Sequence, residues 1–263
     1  MPDHRSRNTL VNKLARVSLG TIYDVATHPT KLPMLMHAPV DATPVRAAST
    51  LIQSLTADAA EALRLEFVTK HDFFEEYARR YVSRRGALPK WLPMWEFMYI
   101  VVRALRPTLV VETGVFDGQS SAVILQALAD NSGNGRLVSI DLPATATIGE
   151  STDFMVFDHL PTGCDPGWVI PDRLRPRHDL ILGDSRLLLR EVLAKEQEID
   201  VFFHDSLHTF AHMTYEYETA WPSLRDGGLL LSDDVTWNAA FHRFCKKHHR
   251  EYVIVAGVGG MRK

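Results

Sequence analysis

The sequence predicts an α/β fold in which a mainly parallel sheet is covered by helices on both faces and preceded by an N-terminal helical extension. Three observations support this fold class. The chain has 263 residues with 46% hydrophobic and 23% charged side chains, which is typical of a globular protein. From residue 109 onward, short apolar runs alternate with helical segments. These runs are continuous rather than alternating, which indicates strands buried on both faces.

Six apolar runs are predicted to be strands and four intervening segments are predicted to be helices. The strands are "LVVET" (109–113), "RLVSID" (136–141), "DLILGD" (179–184), "IDVFFHD" (199–205), "GGLLLSDD" (227–234) and "EYVIVAGV" (251–258). The helices are 119–130, 185–197, 210–221 and 238–249. Strands that alternate with helices in this way are typical of βαβ units, and hence of a parallel sheet.

The N-terminal part of the chain has a different character. Residues 1–55 contain several prolines and no sustained periodicity, so we expect an irregular extension with short helices. A helical segment is predicted from a cap at Thr56 to a stop at Gly86, and another helix from Pro93 to Leu105. We therefore predict an extension over 1–90, for a lid or dimerisation, and the main domain over 91–263.

The connection over residues 142–178 is unusually long and rich in proline, glycine and aromatic residues, including Phe154, Phe157 and Trp168. Loops of this length in compact domains are usually functional or disordered. The aromatic content favours an ordered lid over a pocket. Together with Trp91 and Trp95 from the extension, these side chains are expected to enclose a ligand.

Composition excludes several classes of protein. A formal charge of −3 and a pI near 6.5 give no general attraction to nucleic acid or to an anionic membrane. The basic stretches at 1–18 and 241–250 are predicted to be a terminal helix and the solvated end of a helix. Two cysteines cannot form a disulfide framework, and no apolar leader or membrane-spanning stretch occurs. We expect a cytoplasmic protein.

Acidic residues follow five of the predicted strands. They are Glu112, Asp141, Asp184, Asp205 and the pair Asp233–Asp234. Ligands of parallel sheets bind beyond the carboxyl ends of the strands, so these acids are predicted to meet in one crevice. Asp184 precedes a helix and also fits a capping role.

The segment "ETGVFDGQSS" (112–121) follows the first strand. Gly114 and Gly118 allow a tight turn and a close approach to a ligand, and the helix after Gly118 directs free amides to the same place. Phe116 occupies the middle glycine position of the dinucleotide fingerprint, so a pyrophosphate is not indicated. Asp141 is placed to accept hydrogen bonds from ribose hydroxyls, and a nucleoside ligand fits best.

The segments "VVETGVFDGQSS", "SID", "GDS" and "LLLSDDV" together resemble the class I S-adenosylmethionine-dependent methyltransferases over residues 91–263. Within them the chain is similar to catechol-type and antibiotic-sugar O-methyltransferases. The resemblance implies a Rossmann-like sheet of seven strands, whose last strand, in "GGMRK", runs antiparallel. It also implies a set of residues that bind S-adenosylmethionine. These are Glu112, Gly114, Asp117, Gly118, Ser120, Asp141, Asp184, Ser185 and Asp205.

The resemblance also implies a divalent cation, with Mg²⁺ expected, bound by Asp205, Asp233 and Asp234. Independently of it, three neighbouring carboxylates would repel one another unless protonated or neutralised. Oxygen ligands suit Mg²⁺, Ca²⁺ or Mn²⁺. The alternative is that Asp233 and Asp234 bond turn amides while Asp205 orients the cofactor.

His208 stands where the catechol-type enzymes place a lysine base, so His208 and Asp205 are the predicted catalytic residues. An imidazole can accept a hydroxyl proton at neutral pH, although a structural role remains the alternative. His204 is predicted to be packed, and His212, one turn beyond His208, to assist it. Trp237 is expected either to line the acceptor pocket, with Asn238, or to pack in the core.

The predicted function is metal-assisted O-methylation of a small hydroxylated molecule, such as a sugar, a phenol or a natural-product intermediate. A metal-independent transferase that uses His208 as base is the first alternative. A nicotinamide-dependent oxidoreductase is another, opposed by the glycine spacing and by the lack of a Y-x-x-x-K arrangement. A non-catalytic nucleoside-binding protein is the third. Expected partners are a small-molecule acceptor and a second copy in a homodimer, with no nucleic acid and no membrane.

Overall fold

The structure is a computed structural model that describes residues 42–90, 92–144 and 159–263. Several residues named above lie outside these ranges: the predicted basic helix near the N-terminus, Trp91, Phe154 and Phe157. Among the described residues, no helix has both the length and the apolar character that crossing a membrane requires.

Seven strands form one sheet, in the order β3-β2-β1-β4-β5-β7-β6. Their bounds are β1 Leu109–Thr113, β2 Arg136–Asp141, β3 His178–Leu182, β4 Ile199–His204, β5 Leu224–Ser232, β6 Tyr252–Val255 and β7 Val258–Arg262. Neighbouring strands from β3 through β5 are parallel, whereas β7 is antiparallel to both β5 and β6. The predicted Rossmann-like sheet and its reversed last strand are therefore confirmed.

Eight α-helices are described, and a short 3₁₀-helix spans Asp172–Arg177. Their bounds are α1 Pro44–Leu51, α2 Ala57–Val68, α3 His71–Arg85, α4 Pro93–Leu105, α5 Gln119–Asp130, α6 Ser185–Glu196, α7 Phe210–Ala220 and α8 Ala240–Lys247. Thr56 accepts a hydrogen bond from the amide of Ala59, and Gly86 ends α3 in the left-handed conformation at φ 69°. The continuous helix predicted between these two residues is wrong, because the chain breaks at Thr69 and Lys70 into α2 and α3.

The two faces of the sheet are covered by different helices. Val110, Phe203 and Leu231 pack in one apolar cluster with α1, α2, α4 and α5. Val111 and Phe202 pack in the other cluster, against α6, α7 and α8. Because successive strand residues point to opposite faces, this division explains the continuous apolar runs of the sequence.

The described part of the N-terminal extension shares the core of the sheet. Ala47, Leu51 and Phe67 are buried in the same cluster as the strand residues. Tyr99 on α4 donates hydrogen bonds to Glu66 at 2.6 Å or to Asp130 at 2.7 Å, which ties α2 to α4 and α5. Residues 42–90 are thus packed as part of the main domain, while the predicted boundary at residue 90 stays a prediction.

Candidate functional site

The loop between β1 and α5 passes very close to the end of β4. Gly114 has a φ of 83°, and a Cβ atom there would lie 2.0 Å from the carbonyl oxygen of Asp205. Gly118 has a φ of 94° and precedes the first residue of α5. Both positions require glycine, for backbone conformation and for space. The loop therefore presses against Asp205, and the free amides of α5 face the same edge of the sheet.

Glu112, at the end of β1, is fully buried. Its carboxylate accepts hydrogen bonds from the hydroxyls of Ser120 at 2.7 Å, Ser121 at 2.6 Å and Ser139 at 2.8 Å. Burial raises the pKa of Glu112 to about 7, although these hydroxyls oppose the rise. Glu112 and Ser120 thus brace the loop from beneath, and their predicted contact with the cofactor stays a prediction.

The raised pKa of Glu112 makes stability depend on pH. Because the folded-state pKa lies above the ordinary value of 4.5, the stabilising contribution is present at low pH and is lost as the pH rises through about 7. Glutamine does not titrate. Relative to the wild type, Glu112→Gln should therefore become more stable between pH 5 and pH 8, by up to about 3 kcal/mol.

Urea unfolding of both proteins at the two pH values measures this change. Exposed Glu198→Gln is the matched control, and its offset from the wild type should not depend on pH. An equal offset at both pH values for Glu112→Gln would show that Glu112 does not titrate in this range.

Asp141, at the end of β2, holds the outer part of the loop. Its Oδ2 accepts from the amides of Val115 at 3.0 Å and Phe116 at 2.7 Å, and its Oδ1 from the amide of Leu142 at 2.7 Å. Burial raises the pKa of Asp141 although these amides oppose the rise. The carboxylate lies beside the loop, and its predicted contact with a ribose stays a prediction.

Asp117 joins the loop to the extension and to the connection after β2. This nearly buried carboxylate accepts from Arg85 Nη2 at 2.8 Å, Arg85 Nε at 3.0 Å and the indole of Trp168 at 2.7 Å. Arg85 also donates to the carbonyl of His159 at 3.0 Å. These donors show that Asp117 shapes the loop, and its predicted contact with the cofactor stays a prediction.

Asp184 and Ser185 follow β3. Asp184 accepts a hydrogen bond from the amide of Arg186 at 2.8 Å, which confirms the capping role that its position before α6 suggested. Ser185 is nearly buried, and its hydroxyl donates to Glu216 at 2.6 Å. Contacts of either residue with an adenine ring remain predictions.

Three side chains meet beyond the ends of β4 and β5, and we call them the ligand set. One carboxylate oxygen each from Asp205 and Asp233 and one ring nitrogen of His208 lie within 4.8 Å of one another. Burial raises the pKa of Asp205 well above its ordinary range, and the charges of Asp233 and Glu112 add to this rise. Burial also raises the pKa of Asp233. Two adjacent, half-buried carboxylates of this kind are stabilised by a proton or by a cation.

The surroundings of His208 bear on its predicted role as a base. Its Nε2 lies 3.8 Å from Oδ1 of Asp205, and its side chain is only 9% exposed. Burial lowers the pKa of His208 to about 3, with His204 adding to the effect. A neutral imidazole at this place is a suitable metal ligand, but it is a weak proton acceptor.

Asp234 does not join the ligand set. It adopts a left-handed φ of 48° directly after Asp233, which turns the chain away from the extended conformation of β5. Next to the ligand set, the half-buried Trp237 places its ring centroid 5.5 Å from that of His208. Asn238 donates to the carbonyl of His208 at 2.9 Å, so both predicted pocket residues border the site.

A buried carboxylate that the sequence reasoning missed lies beneath the site. Glu216 on α7 is fully buried, and five side chains donate hydrogen bonds to it. They are Thr113, Ser185, His204, Ser206 and His212. Burial alone would raise the pKa of Glu216, but His204 and His212 outweigh it and lower the pKa. The spacing of His212 and Glu216 on one helical face was the available signal.

The hydrogen bonds of Glu216 bear on the predictions made for His204 and His212. His204 is fully buried with its Nδ1 2.6 Å from Glu216, so the predicted packed role is confirmed. The prediction that His212 assists His208 stays a prediction. His208 precedes the first turn of α7, and Nε2 of His212 lies 2.8 Å from Glu216.

Comparisons with known proteins agree with this geometry. Residues 111–235 match a family model described as a methyltransferase domain. No curated protein matches the chain in sequence at a significant level. A solved O-methyltransferase from Bacillus cereus in complex with SAH has a TM-score of 0.52 and 15% identity, and covers 81% of this chain and 100% of its own.

Two further solved structures show the same fold. A methyltransferase from Geobacter sulfurreducens has a TM-score of 0.50 and 18% identity, and covers 74% of this chain and 89% of its own. The O-methyltransferase TomG from Streptomyces achromogenes, involved in tomaymycin synthesis and solved with SAM, has a TM-score of 0.50 and 15% identity. It covers 77% of this chain and 96% of its own.

The sheet order and the glycine loop define an α/β enzyme of the class I methyltransferase architecture. The match to a methyltransferase domain covers residues 111–235, and structural neighbours with SAH or SAM bound share the fold. Both findings favour an S-adenosylmethionine-dependent methyltransferase over the nicotinamide-dependent and non-catalytic alternatives.

Proposed function

We propose that the protein transfers a methyl group to a hydroxyl of a small molecule with the help of a divalent cation bound by the ligand set. The observation that carries this proposal is the convergence of Asp205, His208 and Asp233 within 4.8 Å, beside the glycine loop. Small hydroxylated acceptors include sugars, phenols and natural-product intermediates. The tomaymycin enzyme TomG is a structural neighbour from such a pathway.

The residues present fit a cation. Asp205 and Asp233 provide carboxylate oxygens that need either a shared proton or a cation between them, and His208 provides a neutral nitrogen. Carboxylate oxygens suit Mg²⁺ and Mn²⁺, whereas an imidazole nitrogen is a ligand that transition metals take more readily than Mg²⁺ does. A bound cation would lower the pKa of an acceptor hydroxyl and fix its direction of attack. We expect Mg²⁺ as the natural ion.

The cofactor would lie across the ends of β1, β2 and β4. The amides of the glycine loop and of the first turn of α5 would receive its anionic end, and Asp141 is the candidate partner of the ribose. Methyl transfer is an in-line displacement, so the protein contributes alignment and exclusion of water. Trp237 and Asn238 border the place where an acceptor would meet the cofactor.

The structure favours His208 as a ligand over His208 as a base, because a pKa of about 3 leaves it a weak proton acceptor. An acceptor hydroxyl bound to a cation would ionise more readily than a free hydroxyl, so its proton would pass to water without the need for a strong base. Metal-independent transfer with His208 as base is the competing mechanism, and the presence or absence of cation binding separates the two. A homodimer formed through the extension also stays part of the proposal.

The test is a calorimetric titration of S-adenosylmethionine and of NADH into chelator-treated protein, repeated with Mg²⁺ present. We expect S-adenosylmethionine to bind in both conditions, Mg²⁺ to bind in a separate titration, and NADH not to bind. Binding of S-adenosylmethionine without any binding of Mg²⁺ would remove the cation from the mechanism. Preference for NADH would contradict methyl transfer itself.

A further inference from the structure

We infer that Glu216 is a positioning residue, which holds the turn after β4 so that Asp205 and His208 reach the ligand set. This inference rests on the proposed function, because it concerns the same cation. Glu216 itself is fully buried on α7 and is not a member of the ligand set.

Glu216 accepts hydrogen bonds from the residues on both sides of Asp205, His204 and Ser206. Its Oε2 accepts from Nδ1 of His204 at 2.6 Å, and its Oε1 accepts from the hydroxyl of Ser206 at 2.9 Å. With both neighbours bonded to Glu216, and with the amide of Asp205 donating to the carbonyl of Thr113 at 2.8 Å, rotation of the peptide groups around Asp205 is restricted. The carboxylate of Asp205 is then fixed next to Asp233, with which it shares a hydrogen bond.

A second contact carries the effect to His208. The ring of His204 packs edge to face against the ring of His208, with centroids 5.4 Å apart and planes at 77°. On its other side His208 contacts Trp237. The orientation of His204 therefore sets one wall of the space in which the His208 ring lies, and Glu216 sets the orientation of His204.

Only an ionised carboxylate satisfies this arrangement. Glutamine at position 216 would place its NH₂ group against the donors of one side, either His204 with Thr113 or Ser206 with its neighbours on Oε1. Nε2 of His204 is buried and has no hydrogen-bond partner among the residues the structure describes. Exchanging its tautomer would therefore bury an unpaired N–H, which is unfavourable.

The experiment measures Mn²⁺ affinity by the electron paramagnetic resonance of free Mn²⁺, and the ring signal of His208 by ¹H–¹³C NMR. We expect Glu216→Gln to weaken Mn²⁺ binding about 10-fold or more, as loss of an outer-shell partner does in other metal sites. The His208 signal should shift in the same variant. Assignment of that signal comes from its loss in His208→Asn.

Glu218→Gln is the matched control. Glu218 lies on the same helix, is exposed, and pairs with Lys247 at 2.6 Å. It should change neither readout. Ser206→Ala is a milder variant, because it removes a single hydrogen bond to Glu216. We expect a smaller loss of Mn²⁺ affinity and a smaller shift of the His208 signal. If Glu216→Gln does not fold, Ser206→Ala alone tests the positioning role.

The possible results separate this inference from the proposed function. Wild-type Mn²⁺ affinity and an unmoved His208 signal in both Glu216→Gln and Ser206→Ala would overturn the positioning role. If the wild type binds no Mn²⁺, the proposed cation is lost. The His208 signal then decides alone: a shift in Glu216→Gln but not in Glu218→Gln supports the positioning role, and no shift overturns it.

Discussion

Replacing Asp205 by alanine is expected to abolish divalent-cation binding while leaving a folded protein. Asp205 supplies one of the two carboxylates of the ligand set, and the other, Asp233, then lacks its partner. A direct ligand contributes more than an outer-shell residue, whose loss costs about 10–100-fold in affinity. Mn²⁺ titration of the wild type and of Asp205→Ala, with thermal unfolding as a check on folding, measures the effect.

The control for Asp205→Ala is a substitution of Asp234, which follows Asp233 in the chain but is not a member of the ligand set. Asp234→Asn removes a carboxylate next to Asp233, and asparagine tolerates the left-handed conformation at φ 48°. We expect it to keep Mn²⁺ affinity close to that of the wild type. An equal loss in Asp234→Asn would restore the three-aspartate set that the sequence predicted, and unchanged affinity in Asp205→Ala would remove the cation site altogether.

The second large effect is expected at the glycine loop. Gly114→Ala would bring a Cβ within 2.0 Å of the carbonyl oxygen of Asp205 and 2.8 Å of the amide nitrogen of Ser206, both backbone atoms. The left-handed conformation costs about 1–2 kcal/mol and displacement of packed backbone about 1–3 kcal/mol more. We expect a destabilised protein that binds neither S-adenosylmethionine nor Mn²⁺ measurably.

Gly163→Ala separates the cost of the left-handed conformation from the cost of the steric clash. Gly163 has a similar φ of 76°, but nothing lies within 4 Å of its would-be Cβ. It should therefore cost only the conformational term of about 1–2 kcal/mol and leave both affinities unchanged. Urea unfolding and calorimetry give the comparison. If the two variants behaved alike, the close approach of the loop to β4 would not matter for the site.

The sheet could be predicted from the sequence because strands buried on both faces leave continuous apolar runs. β1 Leu109–Thr113 and β2 Arg136–Asp141 have the predicted bounds. The break at Thr69 and Lys70 was missed, although Val68, Thr69, His71 and Asp72 around it are weak helix formers. In the structure, Phe67 and Phe73 on either side of the break are both buried in the core, with ring centroids 6.2 Å apart.

The site was predicted in outline rather than in detail. Topology alone brings Asp205 and Asp233 together, because their strands are neighbours and parallel. Whether Asp234 or His208 completes the set depends on the backbone turn after β5, which adjacent acids in a sequence do not reveal. The role of Glu216 could not be predicted, because it depends on the side chains that donate hydrogen bonds to its carboxylate. These side chains come from four separate segments of the chain.

The most direct test of the central claim is an X-ray structure of the protein with Mn²⁺ and S-adenosylhomocysteine, with anomalous data collected near the manganese edge. We predict one anomalous peak bonded to Asp205, Asp233 and His208, at about 2.0–2.3 Å, with the cofactor sulfur facing an open coordination position. A crystal that contains the cofactor at the glycine loop but no anomalous peak at these residues, at saturating Mn²⁺, would contradict metal-assisted transfer.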